Sequence, residues 1–167
     1  MPTPSDAAFI PLADALADAL GPAVVSTDPA DRERHASDWS GLQGSRPRAV
    51  LRPRTTEQVS AALRLCSAAG QPVVVQGGLT GLAGGASVQE GEVALSLDRL
   101  AGVEAIDPAA MTMTVKAGTT LAAVQAAAEE AGLFYAVDIG ARGSCTIGGT
   151  IATNAGGIRV VRYGMTR

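Results

Sequence analysis

Two glycine-rich segments contain the residue types and spacings that can do binding chemistry. Glycine loop 1 runs from Gln76 to Ser87, and glycine loop 2 runs from Asp138 to Gly164. Because glycine has no Cβ atom, the backbone N–H groups around it can approach an anion closely. Hydroxyl and amide side chains between the glycines, such as Thr80 and Asn154, add directional hydrogen bonds. One such segment alone is equally typical of a surface turn, but two of them predict a large phosphate-bearing ligand that is held from two sides.

Glycine loop 1 does not follow the common nucleotide-binding motifs. It lacks the Gly-Lys-Ser/Thr step of a Walker motif, the G-x-G-x-x-G pattern fails at Gly77-Gly78-Leu79, and no helix is predicted directly after it. The backbone N–H groups at its start, together with the Thr80 hydroxyl, are instead suited to a concave nest for a pyrophosphate. A nest with little basic charge is typical of a ligand held by neutral donors, such as a dinucleotide cofactor.

Composition and charge argue against several other classes of protein. The chain has 167 residues, of which 47% are apolar, as in one ordinary folded domain. A net charge of −3 and only one tryptophan, two tyrosines and two phenylalanines argue against a nucleic-acid binder. Cys66 and Cys145 have no zinc-site or disulfide spacing, so we expect reduced thiols and no metal site. Since we find neither a secretory signal nor an apolar run long enough to span a membrane, we expect a cytoplasmic protein.

Hydrophobic periodicity predicts an alternation of helices and strands. Helices are expected from Ser5 or Asp6 to about Leu20, from Thr55 until Gly70, and over 121–131. Strands are predicted at 49–51, 72–76, 93–97, 103–106 and 111–116, with a turn at Asp107-Pro108 between the last two. The strand–helix–strand order up to Gln76 implies a right-handed parallel crossover, and the last two strands form an antiparallel hairpin. We therefore predict an α+β fold with a small parallel α/β subdomain and a larger, mainly antiparallel sheet subdomain.

The segment from Asp28 to Gly44 is predicted to be polar and irregular. It contains His35, which we interpret as a solvated side chain, and Trp39, which we expect to anchor the segment to the core. Four arginines flank the strand that follows this segment. They could clamp a phosphate, but charges that flank a strand more commonly keep its ends soluble. These arginines are Arg46, Arg48, Arg52 and Arg54.

Four stretches of the sequence resemble one flavoprotein superfamily. They are Pro47 and Pro53 with TTEQV at 55–59, then VVVQGGLTGLAGGA, MTVKAGTTL and DIGARGSCTIGGTIATNAGGIRVVRYG. Together they resemble the N-terminal FAD-binding domain of the vanillyl-alcohol-oxidase/PCMH superfamily, and the last stretch looks most like the branch of D-2-hydroxyglutarate, D-lactate and glycolate dehydrogenases. The likeness runs from about Trp39 to Arg167. It implies that 1–45 is an N-terminal helix and lead-in, and that 46–167 is the N-terminal portion of a PCMH-type FAD-binding domain, truncated at its C-terminal end.

The resemblance implies that both glycine loops bind FAD, around its pyrophosphate and ribityl chain. The implied residues of glycine loop 1 are Gly77, Gly78, Leu79, Thr80, Gly81, Gly85 and Ala86. Those of glycine loop 2 are Gly140, Ser144, Cys145, Gly148, Gly149, Asn154 and Gly157. For each of them, turn geometry is the alternative explanation. Relatives with covalently attached flavin carry a histidine where this chain has Leu79, so noncovalent FAD is expected, and a thioether through Cys145 is not.

The resemblance further implies the FAD-binding part of an enzyme that oxidises a 2-hydroxy acid, of the D-2-hydroxyglutarate, D-lactate or glycolate type, to the 2-oxo acid. Its partners would be that small acid and an electron acceptor, and a homo-oligomer or a partner subunit stays open. No pair of titratable residues forms a credible acid–base set, so the catalytic residues are expected beyond Arg167. Two alternatives remain, a stand-alone flavin-binding module or subunit that needs a partner chain, and an inactive fragment.

Overall fold

The computed structural model describes residues 6–166, which form two compact units divided between Arg99 and Leu100. We call the part up to Arg99 unit 1 and the part from Leu100 unit 2. Unit 1 contains α1 (Asp6–Leu20), β1 (Val25–Ser26), α2 (Pro29–Arg34), β2 (Val50–Leu51), α3 (Thr56–Ala68), β3 (Val73–Gln76) and β4 (Val93–Ser96). Unit 2 contains β5 (Val103–Asp107), β6 (Thr112–Val115), α4 (Leu121–Glu130), α5 (Ile147–Ala152) and α6 (Val160–Tyr163).

The sheet of unit 1 has four strands in the order β1-β2-β4-β3. Both β2 and β3 run parallel to β4, which lies between them, and β1 pairs antiparallel with β2 at one edge. Parallel strands need a long connection between them, and α3 lies in the connection from β2 to β3. β4 is buried along its whole length, as expected for an apolar strand with a neighbour on each side. The predicted parallel arrangement is confirmed.

The main core of unit 1 joins its sheet to the helices α1 and α3. Leu12, Leu16 and Leu20 recur every fourth residue on α1, so they share one face of the helix, and all three are buried. They pack in one cluster with Leu51 of β2 and Cys66 of α3. Burial of the Cys66 thiol raises its pKa to about 11. The N-terminal helix is therefore part of this core, and the domain boundary at residue 46 stays a prediction.

Unit 2 is built on a hairpin and the helix that packs on it. β5 and β6 pair antiparallel, and the Asp107 carboxylate accepts hydrogen bonds from the backbone of the turn that joins them. Along β6 exposed and half-buried positions alternate, so that Met113 and Val115 pack against the cluster around the buried Leu121 of α4. The predicted hairpin is confirmed, because its alternation of apolar and polar residues matches the two faces of a strand.

The α+β class is confirmed, with a different balance between the two sheets. Within the described residues the antiparallel sheet has two strands and the sheet with parallel strands has four. The antiparallel part is small because glycine loop 2 forms turns and the short helices α5 and α6. Its many glycines and small polar residues favour turns over strands.

Three predictions for the segment from Asp28 to Gly44 are wrong. The segment is not irregular throughout, because the Asp28 side chain caps α2, and Asp-Pro is a helix-start signal. His35 is 5% exposed and not solvated, because α2 ends there and its ring lies against Gln76. Trp39 is 78% exposed and is not a core anchor. The neighbouring Asp38 takes the buried position in its place. The predicted cap of the first helix at Ser5 lies outside the described residues.

Leu16→Ala should lower the free energy of unfolding by about 2–5 kcal/mol, because the wild-type side chain is fully buried and its removal leaves a cavity in the unit 1 core. Leu63→Ala on the outer face of α3 is the control, since Leu63 is 41% exposed and its loss should cost under about 1 kcal/mol. Urea unfolding monitored by circular dichroism compares the two. Equal costs would contradict the assignment of α1 to the core.

Candidate functional site

Glycine loop 1 presents a run of unpaired backbone donors. In the described part of the chain, none of the N–H groups from Gly77 to Gly85 donates a hydrogen bond to a protein atom. The first residues of the loop, 77–80, are half-buried, so these donors are neither fully solvated nor paired. Backbone N–H groups in proteins are nearly always paired with the protein, with water or with a ligand. A loop with this many unpaired donors is suited to hold an anion with several oxygen atoms.

The backbone of Leu79 gives the loop its shape. Its φ of +56° is left-handed, a conformation that costs a side chain other than glycine about 1–2 kcal/mol. The Leu79 carbonyl accepts a hydrogen bond of 3.2 Å from the N–H of Trp39, which holds the strained residue in place. A left-handed residue in a tight loop turns successive N–H groups towards the same side, which is the geometry of an anion nest.

Gln76 ties the two ends of glycine loop 1 together. It is the last residue of β3, and it is fully buried. Its Nε2 group donates to the carbonyl of His35 at 2.9 Å and to the carbonyl of Ala86 at 2.8 Å. Its Oε1 atom lies 2.8 Å from Nδ1 of His35. The start of the loop and its far end are therefore joined through one amide group.

Asp38 lies under the same loop. Its carboxylate accepts hydrogen bonds from the N–H of Ala86 at 3.2 Å, the hydroxyl of Ser87 at 3.2 Å and the N–H of Ser40 at 3.0 Å. Burial pushes the pKa of Asp38 upward, but these hydrogen bonds outweigh burial and hold the pKa below its usual range. A Cβ atom added to Gly81 would meet Asp38 Oδ2 at 3.4 Å, so the loop passes directly over the carboxylate.

Two of the four arginines around β2 are paired with acidic side chains. Arg52 is 18% exposed and donates to Asp98 at 2.6 Å and to Asp31 at 3.4 Å. Arg46 pairs with Glu33. For these two arginines the ion pairs favour the structural interpretation over a phosphate clamp.

Glycine loop 2 is anchored to the turn between β6 and α4. The Thr146 side chain caps α5, and the N–H groups of Ile147 and Gly148 donate to the carbonyls of Thr119 and Ala117 at 2.9 and 2.8 Å. A Cβ atom at Gly148 would lie 2.9 Å from the Cβ of Ala117. Gly148 is therefore required for this close contact between two backbones, whatever else it does.

A second close contact closes glycine loop 2 at Gly157. Its φ is +93°, and a Cβ atom there would lie 2.0 Å from the carbonyl oxygen of Asp138. The same carbonyl accepts a hydrogen bond of 3.0 Å from Ile158. The buried Asp138 carboxylate lies 3.4 Å from Arg142 and 3.2 Å from Arg159, which neutralise its charge. Arg159 is thus engaged in the structure of the loop.

The remaining residues of glycine loop 2 divide into outward and inward groups. Gly140, Ser144 and Asn154 are exposed, and a Cβ at Gly140 would meet open space. Cys145 is buried, and burial raises the pKa of its thiol. Its N–H donates to the Ala141 carbonyl, and its own carbonyl accepts from Leu121. Cys145 therefore presents no free polar backbone group to a ligand.

The structure assigns the sequence-predicted residues of loop 1 to unit 1 and those of loop 2 to unit 2. It adds two side chains that the sequence interpretation missed, Gln76 and Asp38. A polar residue at the end of an apolar strand was the available signal for Gln76, and Asp38 lies in a segment that was interpreted as solvated. Among the described residues, no group of three or more His, Cys, Asp or Glu side chains is arranged to hold a metal ion. None of the described helices combines the length and hydrophobicity that crossing a membrane requires.

We compared the chain with known proteins to find its family. Residues 47–167 match the FAD-binding domain family. The chain belongs to this family. A D-2-hydroxyglutarate dehydrogenase of Xanthomonas citri pv. viticola is 50% identical over 143 residues, which cover 86% of this chain and 30% of that protein. The mitochondrial D-2-hydroxyglutarate dehydrogenase of Bos taurus is 40% identical, over 87% of this chain and 27% of the relative.

A solved structure of alkyldihydroxyacetonephosphate synthase superposes on this FAD-binding domain with a TM-score of 0.87 at 19% identity. The match covers 99% of this chain and 32% of the synthase, and it shows the fold. The predicted resemblance to PCMH-type FAD-binding domains is confirmed. The chain spans about 30% of the length of the two dehydrogenases.

Asp38→Asn should destabilise the FAD-binding domain by about 2 kcal/mol at neutral pH, because an amide cannot accept all the hydrogen bonds of the carboxylate. The folded-state pKa of Asp38 is lowered, so its stabilisation is fully present above the unfolded pKa of about 3.9 and is lost as the pH falls through the folded pKa. The difference in unfolding free energy between the two proteins should therefore shrink in acid. Denaturant titrations across this range measure it, with Asp14→Asn on the exposed side of α1 as the control. A constant difference would contradict the role of the carboxylate.

Gly157→Ala should cost more than about 2 kcal/mol of stability, because the new Cβ atom meets the Asp138 carbonyl and the φ is unsuited to alanine. Gly143→Ala in the same loop is the matched control, since its Cβ would meet open space and its cost should stay under about 1 kcal/mol. Thermal unfolding compares the two variants. Equal stabilities would show that the loop relaxes around residue 157.

Proposed function

We propose that this chain is the FAD-binding part of a flavin-dependent dehydrogenase that oxidises a D-2-hydroxy acid to the 2-oxo acid. The observation that carries the proposal is the run of unpaired N–H groups from Gly77 to Gly85, in a chain of the FAD-binding domain family. Its relatives named above are D-2-hydroxyglutarate dehydrogenases, which supports that acid as the first substrate to test. D-lactate and glycolate are the related 2-hydroxy acids to compare with it.

In this proposal, glycine loop 1 holds the pyrophosphate of FAD. Donors that belong to the backbone are fixed by the fold, so they lose little freedom when an anion binds. The Thr80 hydroxyl and the Gly81 N–H add to the set that begins at Gly77. No basic side chain is needed when several neutral donors share the charge of the ligand.

Glycine loop 2 of unit 2 is proposed to bind FAD through its own residues. Its exposed polar groups, at Ser144 and Asn154, are the ones able to meet the ribityl chain or the flavin. Gly148 and Gly157 support this surface, because they allow the close backbone contacts that hold it, and Gly149 leaves room for the Thr146 hydroxyl that caps α5. Cys145 supports it from the buried side.

We propose that FAD is bound without a covalent bond. Leu79 stands where the covalent flavoproteins carry a histidine, and its side chain has no nucleophilic atom. The Cys145 thiol is buried and its raised pKa keeps it protonated, which makes it a poor nucleophile. When bound, FAD supplies the acceptor for the hydride of the substrate, and the chain binds and orients it. The groups that bind the 2-hydroxy acid and remove its proton are proposed to lie outside these residues.

Trp39 provides the test of FAD binding. It is the one tryptophan of the chain and it is exposed. Its backbone N–H donates a hydrogen bond to the carbonyl of Leu79 in the proposed nest. Flavins absorb light where tryptophan emits, so we expect FAD to quench the Trp39 fluorescence in a saturable titration. Riboflavin, which lacks the pyrophosphate, should bind at least about tenfold more weakly, corresponding to 1.4 kcal/mol. Denaturation should release all of the flavin, and absence of saturable quenching would contradict the proposal.

The enzymatic part of the proposal requires the protein as its native cell makes it. Its intact mass is the first measurement, because a mass well above 16.7 kDa would mean that further residues are available for catalysis. That protein should then reduce an artificial electron acceptor with D-2-hydroxyglutarate, and the L-enantiomer is the control. FAD-loaded protein of full native mass that oxidises none of the three acids would overturn the substrate class but not the FAD site.

Exposed apolar side chains in unit 2 favour a second candidate, a flavin-binding subunit that needs a partner chain. Val161 is 100% exposed, Ile158 is 82% exposed and Phe134 is 61% exposed. Phe134 and Tyr163 pack together beside them, with ring centroids 5.8 Å apart. Large exposed apolar patches often mark contacts with other polypeptides. A native mass near 16.7 kDa together with copurification of a second chain would favour this candidate.

A further inference from the structure

Gln76 is a fully buried polar side chain at the end of an apolar strand. Burial of an amide costs free energy unless its donors and its acceptor are all paired. The Nε2 group of Gln76 uses its donors on the carbonyls of His35 and Ala86. Its orientation is therefore fixed, and Oε1 must face the ring of His35. The hydrogen of that 2.8 Å contact is carried by Nδ1 of His35, since Oε1 can only accept.

The two ends of glycine loop 1 meet at this amide. Gln76 is the residue from which the loop leaves β3, and Ala86 is the residue at which it returns. The Ala86 peptide is held on both sides, its N–H by Asp38 and its carbonyl by Gln76. Between these ends, the loop residues from Gly77 to Gly85 have unpaired N–H groups. Gln76 is thus the side chain that joins the two ends of the loop directly, and Asp38 holds the far end from its other side.

We propose that Gln76 is a positioning residue for the anion-binding loop, and that His35 orients it by donating from Nδ1. Gln76 holds the loop ends at the separation at which the N–H groups from Gly77 to Gly85 converge. The identity of the anion, the pyrophosphate of FAD, rests on the proposed function. The positioning of the loop by Gln76 rests on the hydrogen bonds of this chain alone.

The chain contains a matched control for Gln76. Gln71 precedes the other end of β3, is 4% exposed, and donates through Nε2 to the carbonyls of Pro72 and Gly91 at 2.9 and 2.8 Å. It therefore makes the same kind of buried double contact, but it ties down the turn before β4 and not glycine loop 1. Gln76→Glu and Gln71→Glu each replace an amide donor by a carboxylate of the same shape. Both should lower the melting temperature, because each loses two donated hydrogen bonds.

The experiment separates positioning from stability with two readouts on the 167-residue chain. The first is the backbone order of the loop amides by nitrogen-15 relaxation, without any ligand. In Gln76→Glu the order parameters between Gly77 and Gly85 should fall from about 0.85 towards 0.6, whereas Gln71→Glu should leave them unchanged. The second is the affinity for FAD and for inorganic pyrophosphate, which should fall about tenfold or more in Gln76→Glu and less than about twofold in Gln71→Glu.

Variants of His35 keep the test valid if Gln76→Glu does not fold. His35→Phe removes the donor to Oε1 and should reproduce the loss of loop order and of affinity. His35→Asn places an amide N–H close to the former Nδ1 and should restore both in large part. If residue 35 only filled space, His35→Asn would not restore the loop order and affinity that His35→Phe loses.

The outcomes distinguish this inference from the proposed function. Wild-type protein that binds neither FAD nor pyrophosphate would overturn the proposed function, while loss of loop order in Gln76→Glu alone would still support the positioning role. Wild-type binding that Gln76→Glu and His35→Phe leave intact, with unchanged loop order, would overturn the positioning role and leave the FAD site standing. Equal effects of Gln71→Glu and Gln76→Glu on affinity would also overturn it, because the effect would then follow from stability.

Discussion

The candidate site depends on one constraint, that a loop must keep its N–H groups unpaired and still hold them in place. Pairing them within the protein would remove the donors that a ligand needs, and leaving them loose would cost binding free energy. In this chain, side chains beneath the loop hold it without using the N–H groups from Gly77 to Gly85. Asp38 and Gln76 bind the peptide of Ala86 from two sides, and Leu79 is tied by its carbonyl, so every anchor leaves the N–H groups from Gly77 to Gly85 unpaired.

The glycines serve two different physical purposes in the two loops. In glycine loop 2, Gly148 and Gly157 lie where a Cβ atom would collide with another backbone, so they are required by packing. Gly85 and Gly140 have open space around the place of a Cβ, so packing does not require them. Their lack of a side chain instead keeps the surface accessible. A glycine-rich motif in a sequence therefore contains both supporting and ligand-facing positions, and its spacing alone does not separate them.

The electrostatic character of the site follows from the small part that charged side chains play in it. The chain carries a net charge of −3, and in unit 1 Arg52 and Arg46 are paired with acidic residues. An anion in glycine loop 1 would thus be held by oriented dipoles more than by net positive charge. Such donors act at short range and depend on geometry, which makes the rigidity of the base of the loop important. The match to the FAD-binding domain family agrees with this, because the pyrophosphate of FAD lies in the middle of a long molecule.

The sequence by itself determined the α+β class, the order of most helices and strands, the two glycine loops and the family. The class, the helices and strands and the loops depend on local composition and periodicity, such as the leucines of α1 and the alternation along β6, which a short stretch of sequence shows. The family came from the resemblance of four longer motifs. The tertiary structure alone decided that His35 is buried, that Trp39 is exposed, and that Gln76 and Asp38 support glycine loop 1. The contacts of Gln76 with His35 and of Asp38 with Ser87 join residues 41 and 49 positions apart, and no local pattern specifies which distant group a polar side chain will meet.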